Sequence, residues 1–215
     1  LQSFRRTITW DDLGSRFGEY VRNHEFDADQ STCILICDVL RSHLRKGRLL
    51  DGEVVDIAEL SEDVLEQYVT RQNNLDSKGI TELVCECLSV HHPGSEGDLA
   101  DTAVELMIEM LIGGNKAVQK AVCLYINKND AKGRFIGHLD KRLKIAETHI
   151  RERKEETKIH YVKVSDEMSV KMEDMMETFE LMQLLCEGHA HDLQEMLRHQ
   201  PNCQRSVNLI QDGID

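Results

Sequence analysis

Apolar residues recur every three to four positions along most of this chain, which is the spacing of one face of an α-helix. The first such stripe lies between residues 32 and 44, and its members are Cys33, Ile36, Cys37, Leu40 and Leu44. Ser31 is placed to cap this helix, and Gly47 is placed to end it. Similar stripes predict helices at residues 61–69, 82–90, 99–111, 115–125, 135–150 and from about 165 to 186.

Short turns separate these helices. Gly113 and Gly114 end one helix, and Asn115 can cap the next. No segment alternates apolar and polar residues in the manner of a half-buried strand. The sequence therefore predicts an all-α fold, built as an armadillo-like α-solenoid of stacked antiparallel helical hairpins or as an irregular bundle.

The stripe in 99–111 also predicts which side of its helix is buried. Leu106, Met107, Met110 and Leu111 share one face, while Glu109 is expected on the polar side. Replacing a buried Leu by Ala costs about 2 to 5 kcal/mol. Leu111→Ala is therefore expected to destabilise the fold far more than Glu109→Ala.

The chain is interpreted as two parts. Residues 1–60 are interpreted as a helical segment leading into a larger domain at 61–215. Two stretches rich in charge and poor in apolar spacing are expected to be flexible, namely residues 46–60 and a charged linker at about 151–164.

Composition narrows the possible functions. The 215 residues carry a net charge of −13, which disfavours binding to nucleic acid and to an anionic membrane surface. No apolar run approaches the roughly 20 residues that span a bilayer, so no direct membrane contact is expected. The chain does not begin with Met, so it is interpreted as a possible piece of a longer protein. The seven cysteines, most of them on apolar helical faces, indicate reduced and buried thiols.

Three groups of residues have both a chemical and a structural interpretation. A zinc site is conceivable for Cys186, His189, His191, His199 and Cys203, although buried cysteines and solvated histidines are favoured. Core packing is favoured over a binding surface for the stripe formed by Met168, Met172, Met175, Phe179, Met182 and Cys186. A helix stop is favoured over a phosphate cradle for residues 113–116, because no strand precedes them. No catalytic motif is found, so an enzyme is not predicted.

Glu187 stands apart from these groups. It adjoins Cys186 and lies one helical turn from Gln183, at the end of an apolar stripe. A carboxylate in such a place is solvated, paired or bound to a cation. The residues alone leave these three interpretations open.

One stretch resembles a known family. Residues 180–198 read Glu-Leu-Met-Gln-Leu-Leu-Cys-Glu-Gly-His-Ala-His-Asp-Leu-Gln-Glu-Met-Leu-Arg, which resembles a segment shared by the inositol trisphosphate receptors and the ryanodine receptors. The turn at 113–115, followed by Val118 and Gln119, is similar to the Gly-Gly-Asn motif of these channels. Residues 135–150 resemble the inositol trisphosphate receptor more than the ryanodine receptor, which is the nearest alternative.

The resemblance implies a role that the residues alone do not. It implies a receptor homology-associated domain in the third armadillo-like layer of a homotetrameric calcium-release channel, on the cytoplasmic face of the endoplasmic reticulum. There the domain relays ligand binding to the pore and contacts other domains and subunits. In this family the residue at the position of Glu187 contributes a carboxylate to the activating calcium site. The other ligands are a second Glu later in the domain and a backbone carbonyl near the pore.

Two alternatives of other classes remain. A free-standing helical-repeat scaffold that binds partner proteins would lack a membrane pore in its full reading frame. A metal-dependent enzyme built on the Cys and His cluster would retain metal when purified.

Overall fold

Helices make up most of the chain in the computed structural model, which describes residues 26–90, 99–130, 132–159, 166–200 and 206–212. The helices are α1 Phe26–Arg45, α2 Glu62–Ser77, α3 Ile80–Val90, α4 Leu99–Leu111, α5 Lys116–Lys128, α6 Arg134–Ile159, α7 Asp166–Cys186, α8 His191–Arg198 and α9 Leu209–Asp212. Short 3-10 turns occupy Lys46–Arg48, Ile57–Glu59 and Glu187–His189. An antiparallel hairpin joins β1 Leu49–Leu50 to β2 Glu53–Val54. The all-α prediction is confirmed, and the small hairpin was not foreseen.

Helix α4 lies at the centre of the fold. It packs against α1, α3, α5 and α7, and of its residues only Asp101 and Glu105 escape full burial. The predicted burial of Leu106, Met107, Met110 and Leu111 is confirmed. The end of α1, the turn after it and α2 cover Glu109, however, so the prediction that it lies on a polar side is wrong. Its side chain is only 2% exposed.

Cationic partners compensate the buried Glu109 carboxylate. The Nε atom of Arg45 lies 2.7 Å from its Oε1 atom. One guanidinium nitrogen of Arg48 lies 2.8 and 2.9 Å from the two carboxylate oxygens. The Tyr68 hydroxyl lies 3.2 Å from Oε2 and donates to the Glu109 backbone carbonyl at 2.8 Å. Glu109 therefore joins α4 to the end of α1, to the turn after it and to α2.

The start of α1 and the segment that follows it both differ from the sequence predictions. Helix α1 begins at Phe26, so Ser31 lies inside it rather than at its cap. The first turn of the helix has no apolar stripe, so helical spacing of apolar residues could not predict it. Residues 46–60, predicted as a flexible zone, instead form two 3-10 turns and the hairpin between them. Arg48 fixes this segment, because it also donates to the Val55 carbonyl at 3.1 Å.

The later helices show two further differences. Helix α6 continues to Ile159, so the first part of the expected linker at 151–164 is helical, and residues 160–165 lie outside the described residues. The face of α7 that is fully buried consists of Thr178, Leu181, Leu184 and Leu185. The expected core stripe lies beside that face, because Met175, Phe179, Met182 and Cys186 are only half-buried. Nothing is described for the side chains of Met168 and Met172.

One hydrophobic core extends from α1 to α9. It contains Cys33, Cys37, Cys85 and Cys87, whose burial as free thiols was predicted. Burial raises the pKa of the Cys37, Cys85 and Cys87 thiols, so these groups stay protonated near neutral pH.

Among the described residues, no helix has the length and hydrophobicity needed to cross a membrane.

We expect Glu109→Ala to destabilise the fold by about 3 to 5 kcal/mol, because it leaves the buried Arg48 guanidinium without its anion. This loss is comparable to that expected for Leu111→Ala. Denaturant unfolding monitored by circular dichroism measures both values. The matched control is Glu66→Ala, since Glu66 is exposed on α2, and it should change stability by less than about 0.5 kcal/mol. Equal small losses in the two Glu variants would contradict the structural role of Glu109.

Candidate functional site

Glu187 lies at a sharp corner between α7 and α8. Helix α7 ends at Cys186, and the 3-10 turn Glu187–His189 leads into α8. Gly188 and His189 both have left-handed backbone angles, with φ of 63° and 61°. Glycine adopts such angles without strain, whereas they strain the backbone of His189. The prediction that Glu187 marks a helix end is confirmed.

The turn between α4 and α5 lies against this corner. Gly113 and Gly114 have φ of 83° and 65°. A Cβ atom added to Gly114 would lie 3.4 Å from the Cγ atom of Glu187. Asn115 caps α5, since its Oδ1 accepts from the backbone N–H groups of Ala117 at 3.0 Å and Val118 at 3.2 Å. The helix-stop interpretation of this turn is therefore confirmed.

Side chains from α5 and α8 hold the backbone of the corner. Gln119 donates through Nε2 to the carbonyl of Leu184 at 2.9 Å and to that of Glu187 at 3.0 Å. Gln194 donates to the carbonyl of Cys186 at 2.8 Å, and Lys116 donates to that of Gly188. These are the last carbonyls of α7 and of the turn, which lack helical partners. Sequence reasoning missed these three donors, although Gln119 belongs to the motif that carried the resemblance.

A second set of amides connects the turn to the core. Asn115 donates through Nδ2 to Gln72 Oε1 at 2.9 Å and to Asn73 Oδ1 at 3.0 Å. Gln72 in turn donates to the backbone carbonyls of Glu109 and Ile112, at 3.0 Å each. Hydrogen-bonded side chains thus link the buried Glu109 region to the turn that supports Glu187.

The carboxylate of Glu187, unlike the backbone carbonyls around it, is not hydrogen-bonded to another described residue. It is half-buried, and within the described residues it has no hydrogen bond or salt bridge. Its oxygens are hard ligands of the kind that calcium prefers. In the part of the chain that the structure describes, no three acidic, His or Cys side chains come together to hold a metal. The donor type therefore fits calcium, whereas the donor number is far below the usual six to eight or so oxygens.

A groove of about 720 Å³ opens beside the corner, between α5 and α8. Its lining includes Gln119, Cys123, His191 and Met196. The Oε1 atom of Gln119 is buried and has no hydrogen-bond partner in the described residues.

Four of the five residues considered for zinc are described, namely Cys186, His189, His191 and His199, and they do not converge on one metal position. The rings of His189 and His191 stack with centroids 5.9 Å apart, and the Nδ1 atom of His199 lies 3.1 Å from Ser206 Oγ. Burial raises the pKa of the Cys186 thiol, which disfavours the thiolate that zinc requires. Cys203 lies outside the described residues.

A known family model matches the part of the chain that contains this corner. Residues 169–215 match the family model described as RyR and IP3R Homology associated. The chain therefore contains a region of the ryanodine receptor and inositol trisphosphate receptor type. This homology-associated region includes Glu187, Gln194 and all of α8. The supporting turn at 113–115 lies outside the match, so its likeness to the channel motif remains a resemblance.

We expect Asn115→Ala to destabilise the fold by about 1 to 3 kcal/mol. The change removes the cap of α5 and leaves the buried amide oxygen of Gln72 without its donor. The control is Asn127→Ala, the same substitution at an exposed position of the same helix. Thermal and denaturant unfolding compare the two variants, and a similar small loss in both would show that the amide link is not structural.

Proposed function

We propose that this chain is the cytosolic regulatory and coupling segment of an intracellular ligand-gated calcium-release channel, of inositol trisphosphate receptor type. The observation that carries the proposal is the position of Glu187. It lies within the family match at 169–215, at a corner whose backbone is bonded to side chains of α5 and α8, and its carboxylate has no hydrogen bond or salt bridge with another described residue. The choice of the inositol trisphosphate receptor over the ryanodine receptor rests on the resemblance of residues 135–150.

Glu187 contributes part of the activating calcium site in this proposal. One carboxylate supplies at most two of about six to eight oxygens. The remaining ligands come from elsewhere in the channel, namely a second Glu later in the domain and a backbone carbonyl near the pore. The bound ion would join these groups by electrostatic attraction. Calcium then favours whichever channel conformation brings the separate ligands within bonding distance.

The packing around Glu187 supports the coupling role. The backbone of the corner is bound to Gln119 on α5 and to Gln194 on α8, so the backbone at Glu187 cannot shift freely relative to either helix. Helix α5 is linked through Asn115 and Gln72 to the central helix α4. A force applied at the corner is therefore passed to the core rather than absorbed locally.

The proposal also implies which partners the segment has and where in the cell it lies. Its partners are the other domains and subunits of a homotetramer, on the cytoplasmic face of the endoplasmic reticulum membrane. The alternative is a free-standing helical-repeat scaffold for partner proteins. A full reading frame that encodes a pore after residue 215 supports the channel, and one without a pore supports the scaffold.

We expect the isolated chain to bind calcium no more tightly than about millimolar, because most ligands of the site lie outside it. Isothermal titration calorimetry measures the affinity, and the Glu187→Gln variant is titrated beside it. A micromolar site lost in Glu187→Gln would mean that the calcium site is complete within these residues.

In the full-length channel we expect Glu187→Gln to shift calcium activation to higher concentration, while inositol trisphosphate binding is retained. The substitution keeps the size of the side chain but removes the charge that attracts a divalent cation. Single-channel recording across calcium concentrations measures the shift. Glu180→Gln is the control, since Glu180 is an exposed carboxylate on α7, the helix that precedes Glu187. An unchanged calcium response in Glu187→Gln would remove this residue from the site.

A further inference from the structure

Residues 49–66, termed here the acidic hairpin surface, combine negative charge with exposed apolar side chains. They comprise the hairpin, the 3-10 turn Ile57–Glu59 and the first turn of α2. Seven carboxylates lie in this stretch, without any Lys, Arg or His: Asp51, Glu53, Asp56, Glu59, Glu62, Asp63 and Glu66. All seven residues are exposed, and none forms a salt bridge with another described residue.

Large apolar side chains are exposed among these charges. The exposed fractions are 45% for Leu49, 53% for Leu50, 46% for Val54 and 37% for Val64. Leu49 and Val54 are direct cross-strand partners, so they form one apolar pair on the same face of the hairpin. Single exposed apolar residues are ordinary on protein surfaces, but a group within one short segment marks a contact site.

The surface is held firmly from beneath. Arg48 anchors the base of the hairpin through Glu109 and the carbonyl of Val55. The carboxylate of Asp56 accepts from the backbone N–H of Ala58 at 2.8 Å and so caps the following turn. Two-residue strands would be unstable alone, and these anchors explain why the hairpin forms. The backbone that carries the exposed side chains is therefore held in place, which lowers the entropic cost of binding.

We propose that the acidic hairpin surface docks a basic, apolar polypeptide segment of a partner protein in an extended conformation. Lys or Arg side chains of the partner would relieve the repulsion among the seven carboxylates, and its apolar side chains would cover Leu49 and Val54. The described sheet contains β1 and β2 only, so each strand has an unpaired outer edge that an extended segment can join.

Other occupants fit this surface poorly. Its carboxylates do not gather into a metal site, since no group of three acidic, His or Cys ligands converges in the described residues. Nucleic acids and anionic lipid surfaces carry the same sign of charge as the surface and are repelled. A basic polypeptide alone matches both the charge and the apolar side chains. This inference is independent of the calcium site and of the channel assignment.

The test uses the whole chain and a labelled peptide of alternating Lys and Leu, with fluorescence anisotropy at about 0.15 M salt. The combined variant Glu53→Gln, Glu62→Gln and Glu66→Gln should weaken binding at least about tenfold, since it removes three of the attracting charges. The control combines Glu152→Gln, Glu180→Gln and Glu195→Gln. It removes the same charge at exposed positions elsewhere and should change affinity by less than about twofold.

The apolar part of the surface is tested separately. Leu49→Ser should weaken binding of the Lys-Leu peptide, whereas Leu124→Ser, at a comparably exposed site on α5, should not. A peptide of alternating Lys and Ser should bind more weakly than the Lys-Leu peptide. The proposal is overturned if both triple variants weaken binding equally, since net charge alone then explains it. Equal binding of the two peptides would overturn it as well.

Discussion

The buried carboxylate of Glu109 is the constraint on which the arrangement of α1, α2, α4 and the hairpin depends. A charge in the middle of a helical core is tolerated only when cations and hydrogen-bond donors surround it. Arg45 supplies one cation from the end of α1, and Arg48 supplies another from the turn before the hairpin. The Tyr68 hydroxyl on α2 donates to the Glu109 backbone carbonyl, and the Arg48 guanidinium lies 5.6 Å from the centre of the Tyr68 ring. Satisfying one charge on α4 thereby fixes where α1 ends, where the hairpin begins and where α2 packs.

Neutral amides extend this order from the core to the corner at Glu187. Gln72 and Gln119 donate through their NH₂ groups to backbone carbonyls near helix ends, which have no partner within the helix. Asn115 donates in the same way to the side-chain oxygen of Gln72. Leaving such an acceptor buried without a donor costs about 1 to 3 kcal/mol, so the register of α4, α5 and α7 is strongly defined. The carboxylate of Glu187 emerges from this bonded frame without a partner in the described residues. A frame that is rigid around one available charged ligand is suited to holding part of an ion site whose other ligands arrive from elsewhere.

Local signals in the sequence predicted a large part of this fold, and contacts distant in sequence account for what they missed. The helix cap at Asn115 and the turn at the two preceding glycines are predicted by residue types within four positions of each other. The buried face that includes Leu106 and Leu111 is predicted by helical spacing. The partners of Glu109 are 61 and 64 residues away, so periodicity assigned that charge to a solvated face. Gln119 bonds to carbonyls 65 and 68 residues further along, which no pattern within one helix reveals. The candidate role of Glu187 came from resemblance rather than from geometry, because one acidic residue at a helix end has several ordinary explanations.

The two glycines of the α4–α5 turn place the acidic hairpin surface and the corner at Glu187 in contact with the same three-residue turn. A Cβ atom on Gly113 would lie 3.4 Å from Ile57 Cδ1, which belongs to the hairpin segment, while one on Gly114 would lie 3.4 Å from Glu187 Cγ. Both glycines have positive φ, and Asn115 locks the turn to α2 and α5. A displacement on either side of this turn therefore meets a rigid element rather than a flexible loop. If a ligand at the corner and a partner at the hairpin surface favour different positions of this turn, each must alter the affinity of the other by the same factor, since coupling between two binding equilibria is reciprocal.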